Sequence, residues 1–143
     1  MTDQRTALQN ALDAEYAAVY AYGVIAAYAN ADRAALVREF SAAHRARRDA
    51  TIELMDVKGA PESAAAAYVP PFPVDDPIPA AHLAVAAESD CATAWYTVVE
   101  QAVDEPVRVA ATTALTECAI RRARWQSILG VNPPTVAFPG REA

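Results

Sequence analysis

The sequence predicts an all-α fold of four helices, and three observations support this prediction. Apolar residues recur at three- and four-residue spacing in four long segments, which is the period of one helical face. Aromatic residues make up only 8% of the 143 residues and glycine occurs four times, which argues against a strand-rich fold. Helix start and stop signals flank the four segments. The length fits one domain that covers residues 1–143.

The first two predicted helices are separated by a short break at residues 30–32. Helix one covers residues 3–29, with Thr2 as its N-cap and Asp3 in its first turn. Helix two continues to Lys58 and stops at Gly59, a frequent residue just after a helix. The inward stripe of helix one is Leu8, Leu12, Glu15, Val19, Tyr22 and Ala26, and that of helix two is Leu36, Phe40, His44, Arg47, Thr51 and Leu54.

The third predicted helix covers residues 80–103, and the fourth follows it directly. Asp104 is the expected N-cap of helix four, Pro106 lies in its first turn and Gly130 ends it. The inward stripe of helix three is Ala84, Glu88, Cys91, Trp95, Val98 and Ala102. The inward stripe of helix four is Ala110, Ala114, Glu117, Arg121, Arg124 and Ile128, with Cys118 and Trp125 beside it.

Residues 60–79 connect helices two and three and contain six prolines, which favour extended backbone. About 20 extended residues reach roughly 60 Å, and a helix of about 27 residues is roughly 40 Å long. This crossover can therefore travel the full length of the bundle and join two antiparallel hairpins, which is the connectivity of ferritin-like folds. Its apolar residues, among them Tyr68, Phe72 and Ile78, predict that it packs against the bundle instead of forming a flexible linker.

The second half of helix one needs a covering segment or subunit. The second half of helix one has no polar face, and the C-terminal segment 131–143 is extended and apolar. The crossover, this tail or a second subunit must cover helix one, so a homodimer is a reasonable hypothesis.

Charge and hydropathy exclude several classes of partner. The net charge of −6 argues against nucleic-acid binding. The longest apolar stretch, residues 17–29, is too short to span a membrane. No targeting signal precedes helix one, so we expect a cytoplasmic protein. Cys91 and Cys118 are then expected to stay reduced.

Three carboxylates, Glu15, Glu88 and Glu117, fall on the apolar stripes of three different helices. A buried carboxylate is costly unless another group compensates its charge. The hairpin geometry places the inward polar residues near the middle of the bundle. The expected core polar cluster is Glu15, His44, Arg47, Arg48, Glu88, Glu117 and Arg121.

A di-iron carboxylate centre takes a Glu from each of two helices and a Glu-x-x-His pair from each of the other two. Ser41 stands where the Glu before His44 would be, and Ile120 stands where the His after Glu117 would be. Two of the six ligands are missing, which argues against a complete di-iron centre.

A metal-free network of ion pairs is the favoured interpretation of the cluster. Arg121 lies four residues after Glu117, and Arg47 or Arg48 can reach Glu15 across the first hairpin. The alternative is a single iron, manganese or zinc ion. Its ligands would be Glu15, His44, Glu88 and Glu117.

Tyr and Trp residues of the four helices are expected to serve packing, not a redox path. These are Tyr16, Tyr20, Tyr22, Tyr28, Trp95 and Trp125.

Three segments resemble a ferritin-like domain-of-unknown-function family of high-GC bacteria. They read AEYAAVYAYGVIAA (residues 14–27), HRARRDA (44–50), and ARW followed by GVNPPTVAFPG (123–125 and 130–140). The resemblance covers nearly the whole chain and implies a ferritin-like four-helix fold, with no established activity or substrate. Its most recognisable motifs contain Glu15, His44, Arg47, Arg48 and Asp49.

We therefore expect a ferritin-like protein of unassigned biochemical role that has no catalytic residue or cofactor and acts through protein contacts. One alternative is an iron or manganese protein, either a rubrerythrin-like oxidoreductase or a storage protein. Another is a peroxide-responsive thiol protein that uses Cys91 and Cys118.

Overall fold

The computed structural model describes residues 3–55 and 68–141. Within them lie four α-helices, one short 3-10 helix and no strand, so the prediction of an all-α protein with four helices is confirmed. The elements are α1 (Gln4–Tyr28), a 3-10 helix (Ala31–Arg33), α2 (Ala34–Leu54), α3 (Pro77–Gln101) and α4 (Glu105–Ile128). The predicted cap Thr2, the predicted end of helix two at Lys58 and Gly59, and residues 60–67 and 142–143 lie outside the described residues.

The ends of α1 and α3 differ from those that the sequence predicts. Asp3 lies before α1 as its N-cap, where its side chain accepts a hydrogen bond of 2.8 Å from the backbone N–H of Thr6. Helix α3 starts at Pro77, three residues before the predicted start. Prolines at the first positions of a helix lose no hydrogen bond, because these N–H groups have no partner inside the helix.

The ends of α4 agree with the prediction. Asp104 is the N-cap residue, Pro106 lies in the first turn and Gly130 follows the helix with φ +80°. The Asp104 side chain accepts a 2.9 Å hydrogen bond from Gln4 at the start of α1. The Gln4 side-chain oxygen also accepts from the backbone N–H groups of Val103 and Asp104. Gln4 therefore fixes the start of α1 to the end of α3.

Helices α1 and α3 are antiparallel neighbours, and so are α1 and α2, and α3 and α4; α2 and α4 make fewer contacts. At the end of the bundle opposite Gln4, one surface cavity is lined by residues from the end of α1, the start of α3 and the end of α4, including Ala29, Pro77 and Ile128. The end of α2 and the start of α3 thus lie at opposite ends of the bundle.

Two non-helical segments lie against the helices. Phe72 and Val74 pack on the core, and the rings of Tyr68 and Tyr20 are 5.6 Å apart. The C-terminal segment lies over α3 and α4, not over α1. There, Gly140 has φ +81° and sits so close to α3 that a Cβ atom would collide with the carbonyl oxygen of Ala92.

The rotation of each helix decides which stripe is buried. For α3 the predicted stripe is buried except for Ala102, which is half-buried. In α1, Ala26 is exposed and Ala18 and Ile25 are buried. In α4 the buried stripe is Val107, Ala111, Ala114, Cys118, Arg121 and Trp125, so the predicted stripe shares only Ala114 and Arg121 with it. Neighbouring faces of these alanine-rich helices differ little in hydrophobicity, so the sequence alone orients them poorly.

Candidate functional site

Each of the four helices contributes one charged side chain to the centre of the bundle. Glu15 on α1, His44 on α2 and Glu88 on α3 are all 0% exposed, and Arg121 on α4 is 6% exposed. Four charges buried this deeply require partners, because removing a charge from water costs several kcal/mol.

His44 joins the two buried carboxylates. Its Nδ1 atom lies 2.6 Å from Glu15 Oε2, and its Nε2 atom lies 2.8 Å from Glu88 Oε2. Burial by itself lowers the pKa of His44, but the hydrogen bonds to Glu15 and Glu88 outweigh it and raise the pKa from 6.5 to about 10. His44 is therefore an imidazolium at neutral pH, and both ring nitrogens donate a proton.

The remaining oxygen of each carboxylate has its own donor. Trp95 Nε1 donates to Glu15 Oε1 at 2.8 Å, and Arg121 Nε donates to Glu88 Oε1 at 3.0 Å. Burial raises the pKa of Glu88, but the hydrogen bond and charge of His44 and the charge of Arg121 outweigh burial and lower it below its ordinary value. All four carboxylate oxygens are thus hydrogen-bonded.

Two aromatic residues extend the cluster toward α4. The Tyr22 hydroxyl donates to Glu88 Oε2 at 2.5 Å, and Trp125 Nε1 donates to the Tyr22 oxygen at 3.1 Å. Burial and the negative charge of Glu88 raise the pKa of Tyr22 well above its ordinary value, so the hydroxyl keeps its proton. We call the seven residues the His44 network; it comprises Glu15, Tyr22, His44, Glu88, Trp95, Arg121 and Trp125.

The formal charges of the His44 network cancel. Two carboxylates face one imidazolium and one guanidinium, so the net charge in the core is zero. A buried ion cluster of this kind is tolerated when it is neutral and fully hydrogen-bonded, and it becomes destabilising when one member is removed.

Three residues of the expected cluster lie outside the network. The Glu117 side chain is 45% exposed and accepts a 3.1 Å hydrogen bond from Arg47, and Arg48 pairs with the exposed Asp49 at 2.9 Å. The expected pairs of Glu117 with Arg121, and of Glu15 with Arg47 or Arg48, are not formed. The reason is the rotation of α4, in which Cys118 takes the inward position and Glu117 turns to the surface.

Tyr22, Trp95 and Trp125 were expected to contribute packing alone, yet each donates a hydrogen bond inside the network. For Tyr22 and Trp95, their spacing from the core glutamates in the sequence indicates this role. Tyr22 lies seven residues after Glu15, and Trp95 lies seven residues after Glu88, which puts each pair on one helical face.

A second cluster lies directly beside Glu15. Cys91 on α3 and Cys118 on α4 are free and fully buried; Cys91 Sγ donates to the Ala14 carbonyl oxygen at 3.4 Å, and Cys118 Sγ accepts from Arg121 at 3.4 Å. One ligand atom from each of Glu15, Cys91 and Cys118 lies within 4.8 Å of the other two. The adjacent Cys118 thiol and burial raise the pKa of Cys91 well above its ordinary value.

The donors of the His44 network do not fit a dinuclear iron centre. Both nitrogens of His44 and all oxygens of the two core carboxylates are engaged with protein partners. The structure also does not bring Glu117 to Glu15, His44 and Glu88, which the alternative with a single metal ion requires. The cationic groups of His44 and Arg121 balance the charge of the two carboxylates.

A groove of about 600 Å³ runs along the surface between α4 and the C-terminal segment. Apolar residues form most of its lining, and Ile120 and Val136 are 59% and 48% exposed. We call it the α4–tail groove; it is lined by Leu115, Ala119, Ile120, Ala123, Pro134, Val136 and Pro139, among others. None of the described helices has the length and apolar character that a membrane span requires.

Comparison with known proteins places these observations in a family context. Residues 7–143 match a family described as a domain of unknown function (DUF4439). The structure is similar to the crystal structure of a conserved hypothetical protein, rv2844, from Mycobacterium tuberculosis. The TM-score is 0.83 at 43% sequence identity, and the match covers 95% of this chain and 96% of that chain. No protein with a curated description matches the sequence.

Proposed function

We infer for this chain, which belongs to the DUF4439 family of domains of unknown function, a role as a ferritin-like bundle that acts through protein contacts. In this proposal the His44 network replaces a metal centre and serves stability, not catalysis. The biochemical partner is a protein surface, and the location is the cytoplasm, where free thiols such as Cys91 and Cys118 persist.

The order of the helices supports the ferritin-like assignment. Helices α1 and α3 are adjacent and antiparallel, and the end of α2 lies at the opposite end of the bundle from the start of α3. A connection that travels the whole bundle between two antiparallel hairpins is the ferritin-like arrangement.

The position of His44 between Glu15 and Glu88 is the observation that carries the proposal. In a metal-binding bundle the inward carboxylates offer free oxygen lone pairs to the ion. Here an imidazolium donates to both acids at 2.6 and 2.8 Å, and a guanidinium donates to Glu88 at 3.0 Å. Protein cations thus supply the positive charge that a metal would supply.

Elemental analysis tests this part of the proposal. The purified protein is incubated anaerobically with iron(II) or manganese(II), passed through a desalting column and analysed. We expect less than stoichiometric retention of either metal. Retention of one or two ions per chain that is abolished in Glu88→Gln and His44→Ala would contradict the proposal and favour the alternative, an iron or manganese oxidoreductase or storage protein.

The α4–tail groove is the proposed contact surface, and a second copy of the chain is the proposed partner. Phe138 is 66% exposed beside the groove, and exposed apolar patches of this kind mark interaction surfaces. Helix α1, the other apolar surface that the sequence indicates, is partly shielded by Tyr68, whose ring contacts Tyr20.

Sedimentation velocity measures the oligomeric state. We expect a dimer at micromolar concentration and a shift to monomer in Phe138→Asp. Val109→Asp is the matched control, because Val109 is 58% exposed on the same helix but does not line the groove. A strict monomer at high concentration, or equal dissociation in both variants, would contradict this surface.

A further inference from the structure

We propose that Cys91, Cys118 and Glu15 form a binding site for one divalent, thiophilic metal ion of the zinc class. The three residues come from three different helices, α3, α4 and α1. This site shares Glu15 with the single-metal alternative considered above but takes two thiols in place of His44, Glu88 and Glu117. It does not depend on the proposed contact function.

The geometry matches the size of such an ion. In tetrahedral zinc sites the Zn–S bond is about 2.3 Å long, so two ligand sulfurs lie about 3.8 Å apart. The two sulfurs and one Glu15 oxygen lie within 4.8 Å of one another, and Cys91 Sγ donates to the Ala14 carbonyl oxygen at 3.4 Å. An ion of this size can therefore replace the thiol protons without a large movement of the helices.

The charge balance of the core favours a divalent ion. Binding follows M²⁺ + 2 RSH → M(SR)₂ + 2 H⁺, in which two S–H bonds break and two metal–sulfur bonds form. The ion adds two positive charges and the thiolates add two negative charges, so the neutral core stays neutral. A monovalent ion on two thiolates would leave one uncompensated negative charge, which is costly in a buried site.

The neighbouring donors are placed to orient the ligands. The Arg121 NH2 group donates to Cys118 Sγ at 3.4 Å. Each Glu15 oxygen accepts one hydrogen bond, from Trp95 or His44, and keeps a second lone pair for the ion. Hydrogen bonds of this kind fix the direction of metal ligands and tune the affinity of the site. Thiolate donors select zinc-class ions over magnesium, calcium or manganese.

Cobalt(II) is the probe, because thiolate-to-cobalt charge transfer absorbs in the near ultraviolet and zinc has no such spectrum. Reduced protein is given one equivalent of cobalt under anaerobic conditions, both in its folded state and during refolding from urea. Since the chain contains two cysteines, a charge-transfer band identifies this pair. We expect a band that saturates at one cobalt per chain and disappears when zinc is added. Absence of the band under both loading conditions would overturn the proposal.

Variants and pH separate this site from any ion held by the His44 network. Cys91→Ser and Cys118→Ser should each lose the band, whereas His82→Ala, at an exposed histidine, should keep it. The apparent affinity of the wild type should rise on the order of 100-fold per pH unit, because two protons leave for each ion. Stoichiometric cobalt binding without a band, retained in Cys118→Ser, would overturn this inference and would also contradict the metal-free His44 network. Absence of all binding would leave that network unaffected.

Discussion

Raising the pH should destabilise the protein through His44. The sign follows from the raised pKa: the folded state holds a proton that the unfolded state releases near pH 6.5. The contribution of His44 to stability is therefore fully present below pH 6.5 and is lost progressively as the pH rises toward about 10.

The size of the effect follows from the same two pKa values. One proton bound only in the folded state changes the free energy of unfolding by about 1.4 kcal/mol per pH unit. Between pH 6.5 and 8.5 we expect the free energy of unfolding to fall by about 2.3 kcal/mol. This is less than the full slope over two pH units, because the unfolded histidine is still half protonated at pH 6.5. With an m-value of about 2 kcal/mol/M, the urea midpoint should fall by about 1 M.

Urea unfolding followed by circular dichroism at several pH values checks this prediction. The range stops at pH 8.5 because the raised pKa of Cys91 adds a second loss of stability at higher pH. The urea midpoint of His44→Gln should change much less with pH. That of His82→Gln, at an exposed position, should fall as in the wild type. A wild-type midpoint that is constant between pH 6.5 and 8.5 would refute an imidazolium between the two carboxylates.

Two further substitutions test the core and the C-terminal segment. Arg121→Met should lower the free energy of unfolding by about 3–5 kcal/mol, because it leaves a buried glutamate of α3 without its guanidinium. The control Arg122→Met removes a half-buried hydrogen bond to Ser89 and should lower the free energy of unfolding by about 1 kcal/mol. Equal losses for Arg121→Met and Arg122→Met in urea unfolding would contradict the His44 network. Gly140→Ala should release the C-terminal segment from Ala92 and speed its hydrogen exchange. In Gly23→Ala the added methyl group meets open space, so the free energy of unfolding should rise by up to about 1 kcal/mol. If the two glycine variants had similar stability and hydrogen exchange, the close contact between Gly140 and Ala92 would be contradicted.

The sequence located the helices well, because their ends are fixed by local chemistry. Asp104, Pro106 and Gly130 mark the boundaries of α4 as expected. Helix α3 starts three residues before the predicted position, because Pro77 and Pro79 of the proline-rich segment form its first turn. Capping and proline effects act within a few residues, so they can be derived without tertiary contacts.

The sequence also placed Glu15, His44 and Glu88 on inward stripes, and the structure shows all three fully buried. It did not show which cation meets which acid. A rotation of about 100° per residue separates Glu117 from Cys118 on α4. The alanine-rich faces on either side differ too little in hydrophobicity to reveal which one turns inward.

Helical period and capping thus determined, from the sequence alone, that four long helices form and that each carries an inward polar group near mid-bundle. Only the tertiary structure decided that Arg121 pairs with Glu88, that His44 lies between two carboxylates, and that Glu117 faces the surface. The physical reason is that helix formation depends on residues three or four positions apart, whereas these pairs join residues 29 to 44 positions apart. Their distances depend on how each helix rotates against its neighbours.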